Sequence, residues 1–553
     1  MKQVLLGVSA VVVLASAAVR ADTAPRWKVV LASSAPAVQI PNLPPSSTYA
    51  VISGQLGDAG PAQLTFDLYG QGSESDMGLS GLWHDAGANA APFASRNATG
   101  ATGPGLSGEE AAHVFRALDW MMDTSGDGHI VFGGFTGDPA QPVESATEGV
   151  WIFDGQRNTE IARVGTDGAL GPQLGAGWVF DGFDGGDSGE VIATAMNGGA
   201  AFLRARTHGP SSGNVAMISR YTPTLGLSPC ALEGSSGPAL SPGVGAGPFT
   251  DIQYPFYATA NGLYARASVG NAGARRNGVW QFCNGAPRAA ALAGATGALG
   301  PGIVSSVDAR FTDVSYAIAS VSPDTFYFSA TAVRAPGGVE FNGVYLHTPS
   351  GNQPVVIDDG SVSTGMPGHS FAFDWQVSLF SSANQVVMLG RTSDDVGGGY
   401  RQGLWRLVPG QPPRPLALTG PDSPYPPAAG HHWDGFGWIA VFANGEIAML
   451  ASTDLGLAVW RLHDDQAPVR VLSIGDAISV PTSAGTVTAP LTGFPIQLRR
   501  STLSTTTVRD RMYGENGDVL VLVQIAGYSD SIDNLTWVRG NVLSDALFAN
   551  GFD

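Results

Sequence analysis

Residues 126–172 read GDGHIVFGGFTGDPAQPVESATEGVWIFDGQRNTEIARVGTDGALGP. The stretch opens on an Asp-Gly turn, Gly126-Asp127-Gly128, followed by a β-patterned run, His129 to Phe132. A second run ends in Gly149-Val150-Trp151, and Thr159 to Ala162 supplies a short apolar strand. Gly168-Ala169-Leu170-Gly171-Pro172 then makes a Gly/Pro-rich loop. Asp-Gly and Asn-Gly provide the positive φ that a tight hairpin turn needs. Such a segment specifies short antiparallel strands and one long loop.

The pattern recurs along the chain. The Gly-apolar-aromatic triplet returns at Gly81-Leu82-Trp83, Gly278-Val279-Trp280, Gly343-Val344-Tyr345 and Gly403-Leu404-Trp405, then as Ala458-Val459-Trp460 and Leu535-Thr536-Trp537. A degenerate copy, Val215-Ala216-Met217, fills the one long gap. Turns precede the triplets at Ser188-Gly189, Asn261-Gly262, Ser382-Ala383-Asn384, Asn444-Gly445 and Asn516-Gly517. With Trp83, Trp151, Met217, Trp280, Tyr345, Trp405, Trp460 and Trp537 as anchors, the mean interval is about 65 residues. A four-stranded meander cannot bury both faces alone, so such units stack, and radial stacking gives a β-propeller. The expected fold is all-β, one ring of eight four-stranded blades, with seven blades or two tandem sandwiches as the competing readings. The last repeat, with strands near 507–512, 518–524 and 534–538, lacks a fourth strand. Trp27 to Leu31 resembles one, and pairing it there closes the ring and hides two edges.

Composition agrees. Of 553 residues, 75 are Gly and 37 Pro, too many for long helices, and 44% are hydrophobic against 13% charged, which supports a sizeable core. The net charge of −18 repels nucleic acid and anionic lipid. Lysine occurs only at Lys2 and Lys28, which sets aside lysine-linked cofactor chemistry. Residues 1–21 read as a signal peptide, with a basic start, an apolar stretch from Val4 to Val19 and the cleavage pattern Val19-Arg20-Ala21. No later run is long and apolar enough to span a bilayer. The expectation is an exported, monomeric chain, periplasmic or extracellular, with the propeller over 22–544. In that setting Cys230 and Cys283 suggest one disulfide, with two separate thiols as the alternative.

The Asn/Asp-x-Gly turns, Gly-Val-Trp strands and Gly-rich loops resemble those of secreted tandem-repeat β-propeller proteins of bacteria, a group whose resemblance implies a fold and no activity. The ending from Asp545 to Asp553, with Phe548-Ala549-Asn550-Gly551-Phe552-Asp553, is similar to the Ile-Phe-x-x-Gly-Phe-Glu tails of exported Gram-negative proteins. It reads either as a sorting or anchoring signal or as a tail that packs its two phenylalanines on a blade.

Three features stand out as sites. An Asp opens the first strand of six repeats, at Asp119, Asp181, Asp251, Asp313, Asp374 and Asp434. These form either an axial ring of carboxylates for a cation such as calcium or a set of Asx turns capping their own loops. His369, Asp374 and Trp375 in one repeat match His431, His432, Trp433 and Asp434 in the next. Adjacent blades would bring them to one rim, as a ligand site, a metal site or a histidine base oriented by a carboxylate, unless they are plain surface residues. Asp123 to Gly128 imitates the start of a calcium loop but has Gly134 where a Glu is needed. Glu109-Glu110 reads as solvated charge. No nucleophile elbow, P-loop or dinucleotide fingerprint is present. The leading expectation is a non-enzymatic scaffold, without a cofactor, that binds a protein or glycan through the Gly/Pro-rich loops. The alternative is a carbohydrate-active hydrolase or lyase using the acidic and histidine rim.

Overall fold

The computed structural model describes residues 27–32, 48–56, 64–71, 80–85, 90–494, 517–527 and 536–543, apart from 125–127, 184–193, 198, 236, 238, 244–246, 254–256, 260–261, 272–273, 374–376, 395–398, 465 and 483–484. The strands form eight antiparallel meanders in chain order, the eight blades of a β-propeller. Blade 1 starts at Thr48–Leu56, blade 2 at Val114–Thr124, blade 3 at Val179–Gly182, blade 4 at Phe249–Ile252 and blade 5 at Arg310–Ser322. Blades 6 and 7 start at His369–Phe371 and Trp433–Val441, and blade 8 at Gly485–Gly493. No helix among the described residues is long and apolar enough to cross a membrane.

The triplet earns its place through packing. Trp151, Trp280, Tyr345, Trp405 and Trp460 lie on third strands and are buried. Each meets a buried aromatic from the start of its own first strand: Phe115, Phe249, Phe311, Phe371 and Trp433, with ring centroids 4.9 to 5.1 Å apart. The second strand runs between the two rings, so it must be thin there. It carries Gly134, Ala267, Ala330, Gly390 and Ala451, directly opposite Gly149, Gly278, Gly343, Gly403 and Ala458 of the triplets. Two small residues face to face open a slot across the blade, and two aromatics close it, edge to face in four blades and tilted at Phe371–Trp405. Each such pair adds roughly 0.5–1.5 kcal/mol beyond its buried area. The triplet glycine is needed for space, since a Cβ on Gly278 would stand 2.5 Å from the carbonyl oxygen of Ala291. A β-bulge between the third and fourth strands, at Val279/Trp280 in this blade, brings that carbonyl over it.

Register corrects two anchors. In blade 3 the bulge falls between Ile218 and Ser219, and Leu203 faces Ser219 as Phe132 faces Trp151. The equivalent of the tryptophan is therefore Ser219, and the expected triplet 215–217 lies two residues too early. Here the bulk has moved to the first position of the triplet, Met217, which is fully buried. The hairpin of this blade pairs Thr194–Asn197 with Ala200–His208, and the turn expected at Ser188-Gly189 lies outside the described residues. In blade 8 Val521 faces Val538, which puts Val538 rather than Trp537 at the anchor position.

Trp27–Ala32 pairs antiparallel with Thr536–Asn541 and supplies the fourth strand of blade 8. The first strand of that blade is Gly485–Gly493, where Leu491 and Gly493 face Ile525 and Gln524. The segment 507–512, expected to be that strand, lies outside the described residues. An extra strand, Ala477–Thr482, replaces the Gly/Pro-rich loop, pairs with Gly485–Gly493 and runs parallel to Trp27 and Lys28.

Cys230, on the fourth strand of blade 3, is bonded to Cys283, just past the third strand of blade 4. The bond staples two neighbouring blades across a sequence separation of 53. Removing it as the double Cys→Ser variant is expected to cost about 2–4 kcal/mol. A urea midpoint unchanged from the parent would show that the interblade packing alone sets that part of the ring.

Candidate functional site on the loop face

Strand alternation puts the Gly/Pro-rich interblade loops and the connections between second and third strands at the same end of every blade. The histidines of the sequence motif lie at this end, and each is held by a carboxylate of its own blade. His431 Nδ1 is 2.9 Å from Asp454 Oδ2, and Asp454 Oδ1 also accepts the His432 N–H. His432 Nε2 lies 3.2 Å from Asp434. His369 Nδ1 lies 2.9 Å from Asp394 Oδ1, but the two atoms are out of line for a hydrogen bond. Arg401 joins that carboxylate at 3.1 Å and reaches Asp422 at 3.1 Å. Asp394 and Asp454, at the ends of second strands, are partners the sequence reading missed.

Trp433 does not belong to a ligand wall. It is fully buried, donates its Nε1–H to the Tyr425 carbonyl and packs on Trp460. Asp374 and Trp375 lie outside the described residues, as do the turn residues 125–127. The described geometry therefore joins His431, His432, Asp434 and Asp454 in blade 7 and sets His369 in a separate chain of ion pairs in blade 6.

The described aspartates of the series share a spacing in sequence and not one register. Counted from the buried first-strand aromatics Phe180, Phe249, Phe311 and Trp433, Asp181, Asp251, Asp313 and Asp434 stand one, two, two and one residues on, while Asp374 and the side chain of Asp119 lie outside what is described. Their partners are local. Asp181 binds His208 Nδ1 at 2.5 Å, and Asp251 takes the Gln253 amide. Asp313 accepts Arg266 Nη2 at 2.9 Å and Asn277 Nδ2 at 2.7 Å, both from the preceding blade. The partners of these three are side chains. Among the described residues no group of three or more His, Cys, Asp or Glu side chains is placed to hold a metal ion.

Asp454 titrates below the ordinary carboxylate range because the His431 hydrogen bond favours its charged form. A depressed folded value means a contribution present above the unfolded value near 3.8 and lost as pH falls through the folded one. Carboxyl 13C NMR is expected to show the Asp454 midpoint below that of a free Asp and moved up toward it by His431→Ala, with the His432 N–H still holding part of the shift.

A second feature escaped the sequence reading. In blade 2 a cleft of about 260 Å³ lies between the incoming loop, the second-to-third-strand connection and the end of the fourth strand, lined by Glu110, His113, Thr136, Asp138, Gln141, Ser145, Thr147 and Arg163 among others. Arg163 forms its floor. Its Nε and Nη2 meet the two carboxylate oxygens of Glu160 at 2.9 and 2.6 Å, and its Nη1 meets Glu110 at 2.8 Å. The hydrogen bonds that Arg163 donates to Glu160 hold the guanidinium firmly charged, while burial pushes the Glu160 carboxyl up. We take the pair as ionised, because bidentate pairing at these distances favours both charges. Glu110, expected to be plain solvated charge, is thus a wall of the cleft. The signal was available in the repeat. Glu160 pairs with Trp151, and its counterparts opposite Trp280, Tyr345, Trp405 and Trp460 are Ala289, Pro354, Pro415 and Arg470, so it is the one carboxylate among them.

No family model matches the chain, and no curated protein matches it. Among solved structures it is similar to the β-propeller domain of the Trilobed protease from Pyrococcus furiosus, at 7% identity and a TM-score of 0.32, over 76% of this chain and 94% of that one. It is also similar to the α-L-arabinanase of Penicillium chrysogenum, solved with arabinobiose, at 10% identity and a TM-score of 0.25, over 64% and 93%. Drosophila Plexin A, solved in complex with Semaphorin 1b, gives 11% identity and a TM-score of 0.26, over 78% and 86%. The likeness to these proteins is one of fold.

Proposed function

We propose that the protein is an exported β-propeller scaffold of the bacterial cell envelope or exterior, a monomer of the secreted tandem-repeat kind, that binds a glycan or protein through its Gly/Pro-rich loop face. The observation that supports this reading is the polar cleft of blade 2, which opens on that face between loops that the repeat leaves free to vary. Residues 1–21 would direct export and 545–553 would sort or anchor the chain; both lie outside the described residues. A hydrolase is the second reading, favoured by one observation: His431 is oriented through Nδ1 by Asp454 at 2.9 Å, the arrangement a general base needs.

Cell fractionation tests export. For the binding face, the purified chain is probed on glycan and peptide arrays with a bulky maleimide on single introduced cysteines; no free cysteine is present among the described residues to compete. Val143→Cys and Val339→Cys sit on loop-face connections, and Leu225→Cys sits on a turn at the opposite face. Capping either of the first two is expected to weaken binding about tenfold or more, and capping the third to leave it unchanged. Blockage from the Leu225 side alone, or no binding on either array, overturns the reading. Polysaccharide cleavage lost in His431→Ala would instead support the hydrolase.

A further inference from the structure

We propose that the blade 2 cleft binds a single neutral sugar residue, an inference that rests on the loop face being the ligand face. Its size sets the first limit. At about 260 Å³ it falls below the roughly 300–1,000 Å³ of pockets for drug-sized ligands, which leaves room for one small ring and its hydroxyls.

Chemistry sets the second. His113, Thr136, Gln141 and Thr147 all line the cleft, and their side chains make no hydrogen bond among the described residues. Thr136 is only 4% exposed, so its hydroxyl has little access to water except through the cleft. Hydroxyl, amide and neutral imidazole groups each donate and accept, as a sugar hydroxyl does. Four such groups converging on one small space suit a ligand with several hydroxyls and give nothing to an apolar one.

Charge sets the third. Arg163 is the only permanent cation in the lining, and Glu160 and Glu110 already hold it. Glu110, Glu160 and Asp138 outnumber Arg163 and Arg116, whose Nη1 donates to the Asp138 carbonyl oxygen at 3.0 Å, so a phosphate or a sugar acid would meet net negative potential. A neutral sugar meets no such cost. Arg163 still has one N–H on Nη2 beyond that used, enough to donate to a hydroxyl without giving up its carboxylates.

The test is saturation-transfer NMR and calorimetry on the full mature chain with glucose, galactose, arabinose, N-acetylglucosamine, glucosamine and glucuronic acid. At least one neutral sugar is expected to bind, with glucuronic acid weaker by about tenfold or more. His113→Ala, Gln141→Ala and Thr147→Ala are each expected to weaken that binding severalfold while leaving the melting curve unchanged, because none of these side chains is bonded within the fold. Binding of glucuronic acid or glucosamine alone overturns the proposal, as does absence of neutral-sugar binding or full binding by all three variants. If loop-face capping blocks array binding while the three variants bind the array normally, the sugar cleft is wrong and the loop-face reading stands. If capping has no effect on any array ligand, the loop-face reading itself falls.

Discussion

Trp27→Ala is expected to destabilise the protein by about 3–5 kcal/mol, the range for removing a large buried aromatic. The indole is 5% exposed, lies over Gly540 and donates its Nε1–H to the Val471 carbonyl at 3.1 Å. It shares one apolar cluster with Val29, Trp438, Phe442 and Leu472 of blade 7 and with Ile478, Leu491, Val521 and Val538 of blade 8. Removing it does more than leave a void. The N-terminal strand is joined to blade 8 only by pairing and packing, so weakening it frees an edge on Thr536–Asn541 and opens the ring at one place. The urea midpoint should fall, and limited proteolysis should begin in blade 8. Cleavage beginning elsewhere, with an unchanged midpoint, would show that the ring does not depend on this clasp.

The second large effect belongs to the slot. Trp280→Ala should cost about 3–5 kcal/mol through the cavity it leaves against Phe249. Gly278→Ala adds one methyl group and should still cost about 1–3 kcal/mol, because the new Cβ meets the Ala291 carbonyl at 2.5 Å and the Trp280 Nε1 at 3.0 Å. A backbone carbonyl cannot swing aside as a flexible side chain can. Gly213→Ala, on a loop with no atom within 4 Å of the added carbon, is the control and should be neutral or slightly stabilising. Equal melting curves for Gly278→Ala and Gly213→Ala would remove the slot as the reason for the triplet.

The repeat was legible because its two strongest signals are local. Turn glycines show their positive φ where the sequence places them, at Gly128, Gly262, Gly445 and Gly517. The triplet tryptophan and its glycine share one face of one strand, so their pairing is visible two residues apart. The reading slipped where bulk was exchanged along a strand, as between Met217 and Ser219, since composition is conserved there while register shifts. The aspartates show the limit of spacing as a signal. Equal spacing over some 60 residues tolerates an error of one or two, and in a strand one residue changes the face.

The structure chose the Cys230–Cys283 bond over two separate thiols, while by itself the sequence determined an all-β ring with one blade about every 65 residues, closed by its N-terminal strand. Periodicity, turn chemistry and the need to hide two edges suffice for that, because each acts on every repeat alike. Only the tertiary structure decided the sites. It sent Trp433 into the core, gave His431 to Asp454 and gathered Glu110, Glu160 and Arg163 around one cleft. Those residues are up to 53 positions apart, and their meeting depends on how loops from three parts of a blade fold over its end, which no local pattern encodes.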